Sequence, residues 1–133
     1  MKAAATALLC VCLCACPSAA PVADAAMPTP RDVLRMALQL RDVPLSVHAS
    51  CRAAGPDLGD RTIGDYLAGF LAAMDQPSNT VETRCEPRPG VRARCELWFK
   101  HRDDEERWAW GLSFDVDARG RPRRESVTCL GAG

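Results

Sequence analysis

From residue 29 to residue 44 the apolar positions recur at helical spacing. Val33, Leu34, Ala37, Leu38 and Leu40 predict one buried stripe. Thr29-Pro30-Arg31-Asp32 supplies its start: Thr can cap, Pro suits the first turn, and Asp favours the positive end of the helix dipole. Pro44 is expected to end the helix. Residues 53–60 contain Gly55, Pro56 and Gly59 and read as a loop. Asp60 or Thr62 then caps a second helix, in which Ile63, Tyr66, Leu67, Phe70, Leu71 and Met74 keep the apolar spacing. Gly64 and Gly69 each cost about 1 kcal/mol in a helix relative to alanine. Their presence predicts close approach to another backbone. Pro77 and Asn79 close the segment.

Beyond residue 80 the period changes to two. Val81, Thr83 and Cys85 alternate with Glu82, Arg84 and Glu86, and Pro87-Arg88-Pro89-Gly90 is a turn. Val91, Ala93, Cys95, Leu97 and Phe99 alternate with Arg92, Arg94, Glu96, Trp98 and Lys100. Residues 101–106 form a charged turn. Trp108, Trp110, Leu112, Phe114 and Val116 then alternate with small or polar residues, residues 117–122 turn again, and Val127 and Cys129 take the inward phase of a last strand. The expected fold is α+β: two N-terminal helices packed on one face of a four-stranded antiparallel meander.

Composition adds the setting. Seventeen basic and seventeen acidic residues give zero net charge, which excludes a nucleic-acid binder working by general charge attraction. With 47% hydrophobic and 26% charged residues, the chain is an ordinary globular mix and not a disordered tail. Lys2 is followed by a short apolar run to Cys16, too short to span a bilayer, and then by small residues; this reads as a secretory signal peptide over residues 1–26. Two exits fit. Ala23-Asp24-Ala25 suits cleavage ahead of Ala26 or Met27, whereas Leu13-Cys14-Ala15-Cys16 resembles a lipoprotein box with Cys16 as the lipidated residue. Residues 27–133 remain as a single α+β domain.

That domain keeps Cys51, Cys85, Cys95 and Cys129. An even count in an exported chain implies two disulfides. The gaps between them lack the close pairs of a structural zinc site. Of the three possible connectivities, the strand order favours one. A turn symmetric about Gly90 sets Cys85 opposite Cys95, and Cys129 on the far edge strand is then left to Cys51.

Candidate chemistry is sparse. Ser46-Val47-His48-Ala49-Ser50-Cys51 brings hydroxyl, thiol and imidazole together but forms no nucleophile elbow, so His48 reads as a loop histidine. His101-Arg102-Asp103-Asp104-Glu105-Glu106 lacks the alternating acids and central glycine of a calcium loop and reads as a solvated turn. No catalytic residue, metal or cofactor is assigned. Trp108, Trp110 and Phe114 are assigned to the core before any pocket. The outward strand phase places Trp98 among Arg92, Arg94, Lys100, Arg107 and Arg124, the composition of a protein-binding hot spot. Trp98, Arg92, Arg94 and Arg107 are the candidate contacts.

Tyr66-Leu67-Ala68-Gly69-Phe70-Leu71-Ala72-Ala73-Met74-Asp75, with Cys51 upstream and Cys85-Glu86-Pro87 downstream, resembles the small periplasmic immunity proteins that protect bacteria from type VI secretion cell-wall amidases. The likeness covers about a quarter of the chain. It departs at residues 108–116, which read as strand where that family is helical to its end. It implies a periplasmic inhibitor that blocks an enzyme by binding it. The expected function is therefore that of an exported, disulfide-stabilised protein-binding domain, an inhibitor or immunity factor of an envelope enzyme. A periplasmic module binding a small apolar or glycan ligand beside Trp108 and Trp110 is the alternative. The expected partner is a protein, with no nucleic acid, and with membrane contact only through a lipid at Cys16.

Overall fold

The computed structural model describes residues 26–53 and 60–132. Most of the expected signal segment, Cys16 included, and most of the residue 53–60 loop lie outside these. Among the described residues three helices, α1 (Pro30–Gln39), α2 (Ala49–Ala53) and α3 (Ile63–Ala72), precede four strands, β1 (Asn79–Arg88), β2 (Val91–Arg102), β3 (Arg107–Val116) and β4 (Thr128–Ala132). The strands form one antiparallel sheet in the order β1-β2-β3-β4. The α+β meander read from the sequence is the observed fold, with the short α2 added to the two expected helices.

Both long helices start with the same device. The Thr29 hydroxyl accepts from the Asp32 N–H while the Asp32 carboxylate accepts from the Thr29 N–H, and Thr62 and Asp65 repeat the exchange. Thr62, not Asp60, is the cap. Replacing Thr62 by Ala should cost about 1 kcal/mol, read as a lowered urea midpoint. These same bonds hold the Asp32 and Asp65 carboxyls below their ordinary pKa of 3.8. A depressed folded pKa stabilises the fold above the unfolded value, and that support is lost as pH falls through the folded one. The Asp32→Asn/Asp65→Asn protein should therefore lose stability less steeply than wild type below about pH 4 in an acid titration followed by circular dichroism. An equally steep acid limb would count against this account.

The buried stripe of α1 is Val33, Met36, Ala37 and Leu40, the 0, 3, 4, 7 series from Val33. Leu38, expected inside, is 40% exposed, and Met36 holds the place assigned to it. The helix ends at Gln39, before Pro44, which instead bridges Thr62. Residues 43–45 run beside 61–63: the Ile63 N–H donates to the Val43 carbonyl and the Leu45 N–H to the Arg61 carbonyl. This close pass explains Gly64. A Cβ there would sit 2.8 Å from the Arg41 carbonyl oxygen, which accepts from the Gly64 N–H. Gly69 is different, since nothing lies within 4 Å of its would-be Cβ. Gly69→Ala should raise stability by about 1 kcal/mol in urea denaturation, because only helix propensity changes.

The core lies between the helices and one sheet face. Leu97, Phe99, Leu112 and Phe114 are fully buried and meet Val33, Ile63, Leu67 and their neighbours. Phe70 stacks on Phe99 with centroids 4.8 Å apart and on Trp110 at 5.0 Å, and Tyr66 stacks on Trp110 at 4.9 Å. Trp110 thus packs against the core, as its phase requires.

Both disulfides are present. Cys85 and Cys95 face each other across β1 and β2 with Cα atoms 4.1 Å apart, and Cys51 of α2 joins Cys129 of β4 across 78 residues of chain. The Cys129 N–H also donates to the Ser50 hydroxyl at 3.0 Å, so α2 grips β4 twice. Helix α2 has too few residues to be stable alone; it is built around Cys51 and the bond from Arg52 to the Ser46 carbonyl, 2.7 Å.

Candidate protein-binding face

The helices cover the sheet face that carries Cys95, Leu97 and Phe99. The opposite face carries the other phase. Its middle row runs Glu82, Trp98, Gly111, Leu130 across the four strands, and the next runs Arg84, Glu96, Ser113, Thr128. Trp98 is laid flat by its neighbour. A Cβ on Gly111 would stand 2.9 Å from Trp98 Cδ2 and 3.0 Å from Cε3, so the indole occupies the space that glycine leaves. The Trp98 Nε1–H donates to the Glu96 carboxylate at 3.0 Å. The ring is half-buried, with its position fixed from below and from the side.

The candidate arginines divide into three kinds. Arg94 is on this face, but its guanidinium donates to Asp115 at 2.9 Å, the Ser113 hydroxyl at 2.6 Å and the Thr128 hydroxyl at 3.0 Å. It ties β2, β3 and the start of β4 together, and 26% of its side chain is exposed. Arg92 has left the face. Between the pairs Glu86–Arg94 and Arg88–Val91, the two residues Arg92 and Ala93 oppose the one residue Pro87, a β-bulge. Pro87 cannot donate to a ladder and is tolerated at such a bulge on an edge strand. Strict alternation fails there, and the Arg92 guanidinium reaches the Ala26 carbonyl ahead of α1. Arg107 stays exposed, directly opposite Arg102. With Lys100, which pairs with Glu82, the two arginines border a shallow cavity of about 540 Å³ at the end of the sheet. Arg124, expected on the same phase, sits in a 3-10 turn (Arg124–Ser126) and makes two bonds to Asp42, at 2.8 and 2.9 Å. That contact holds the Asp42 carboxyl below its ordinary pKa.

Elsewhere the polar groups serve the fold. His101 belongs to β2, not to the turn: its Nδ1 is 2.7 Å from Asn79 Oδ1 and its Nε2 2.9 Å from Asp103 Oδ2, and its ring stacks on Trp108. Asp103 accepts from the N–H groups of Glu105 and Glu106, which hold its carboxyl below the usual range and close the hairpin. His48 makes no pair with the hydroxyl groups beside it: its Nε2 is buried without a partner among the described residues, while Ser50 accepts from Cys129. Burial, and then the Arg52 charge, push its pKa down. Among the described residues no group of three or more His, Cys, Asp and Glu is placed to hold a metal, and no helix is long and apolar enough to cross a membrane.

No family model matches the chain, and no curated protein or solved structure does either.

Proposed function

We propose that this chain is an exported bacterial protein-binding domain, an inhibitor or immunity factor that occludes an envelope enzyme with its helix-free sheet face. The observation that carries this reading is the Trp98 indole held flat on Gly111 in the middle of that face. A large aromatic fixed before binding loses little freedom on association, which is the character of a hot-spot anchor. Leu130 beside it and Arg107 towards the sheet end extend the contact; Arg94 keeps the surface rigid. Two disulfides support an oxidising compartment outside the cytosol. The signal-like residues 1–26 and the likeness of residues 66–87 to periplasmic immunity proteins support the same reading. Export by cleavage after Ala25, or by lipidation at Cys16, belongs to this proposal.

A photo-reactive amino acid placed at position 98 tests it in the envelope of the native host. It should crosslink one enzyme, and the purified domain should inhibit that enzyme. Trp98→Ala should weaken the inhibition at least tenfold while the domain still melts cooperatively, because the indole lies outside the buried core cluster. Full inhibition by Trp98→Ala, or no crosslink at position 98, would remove this face from the mechanism.

A further inference from the structure

We infer that the chain carries a second binding site, for a neutral saccharide ring, in the cleft between α3 and the start of β3. This site lies on the helix side of the sheet and is independent of the Trp98 face. The cleft is a shallow cavity of about 350 Å³ bordered by Tyr66, Phe70 and Trp108, with Gly69 between them and Arg61 and Asp65 at the rim.

Three features lead to a ligand here. Gly69 lies inside a helix, at a cost that no packing explains, because nothing approaches the position its Cβ would take. A side chain at position 69 would fill the cleft. Trp108 is the half-buried wall, and it is fixed from behind: His101 stacks on it at 5.4 Å and is itself held by Asn79 and Asp103. Phe70, tilted against Trp108 at 5.6 Å, is fixed by its stacking on Phe99 and Trp110. The aromatic walls are thus set before any ligand arrives.

The rim decides the class of ligand. The Arg61 guanidinium lies over the Tyr66 ring, 5.9 Å from its centroid, and so takes that face and sets a positive charge at the rim, which disfavours an organic cation. The Asp65 carboxylate disfavours an anion. The opening to water is too wide for a hydrocarbon, whose binding needs an enclosed apolar cavity. A neutral sugar meets every element. Its apolar C–H groups can pack on the half-buried Trp108 ring, whose other side His101 holds, and its hydroxyls can donate to Asp65 and accept from Arg61.

Titrating ¹⁵N-labelled protein with chitotriose, cellotriose and maltotriose tests the site through the Trp108 indole N–H signal. At least one trisaccharide should move that signal with a dissociation constant of about 1 mM or tighter, and tetramethylammonium should not. Gly69→Met should keep the fold, since space is open at that position, and abolish the shift. Arg61→Ala, an exposed change outside α3, should weaken it several-fold. Silence towards all three sugars, a response to tetramethylammonium alone, or a sugar response retained in both variants would overturn the inference.

Discussion

Replacing Cys51 and Cys129 by serine should cost about 4.5 kcal/mol, against about 2.7 for the Cys85/Cys95 pair, on the loop-entropy scale. The loops closed span 78 and 10 residues, and the longer frees far more unfolded-chain disorder when opened. A domain of this size has about 5–15 kcal/mol in total, so the first variant should lose a large share of its stability and the second a smaller one. Local structure sharpens the contrast. Helix α2 exists around Cys51, and its grip on β4 through Ser50 depends on the same juncture, whereas Cys85–Cys95 joins strands already paired along most of their length. Urea denaturation of the two double-serine proteins gives the order directly. Equal midpoints would show that the long bridge does not tie the helical layer to the sheet.

Gly111→Ala should destabilise the protein by about 3 kcal/mol, at the upper end of overpacking costs. Its Cβ would lie 2.6 Å from the Leu97 carbonyl oxygen, which belongs to the neighbouring strand and cannot withdraw without moving β2. The Trp98 ring would be lifted as well, so its fluorescence should shift to the red, and the inhibition proposed for that face should weaken with it. Gly131→Ala on the adjacent strand is the control: nothing stands within 4 Å of its would-be Cβ, and its midpoint should stay within about 0.5 kcal/mol of wild type. A Gly111→Ala protein as stable as wild type would mean that the indole is not seated as described.

Much of the architecture was legible because it rests on short-range rules. Two Thr-x-x-Asp boxes start the long helices, and a clean period of two carries β2 and β3 into the core. What escaped depends on pairs of distant residues. The bulge at Arg92 and Ala93 exists because Pro87 on the partner strand has no N–H, and alternation within β2 cannot register that. Alternation puts Arg92 on the helix-free face, whereas the bulge turns it towards the residues ahead of α1. Leu38 and Met36 are equally apolar, and which of them faces inward is decided by how α1 rotates against the sheet. Gly64 and Gly69 look alike along the chain; one meets a carbonyl and the other meets open space. The phase of Trp98 could be read, but its seat on Gly111 needs the β2–β3 register, and the cleft beside Trp108 needs the position of α3 as well.

The two borders of the sheet share a property. β1 is bonded covalently to its neighbour through Cys85, and β4 to helix α2 through Cys129. A strand so fastened cannot peel away and insert into another copy of the molecule, the route by which domain swapping and open-ended strand addition begin. Where chaperones are few and concentrations high, this chain should stay the species it folded as, for as long as its surroundings keep the sulfur atoms joined.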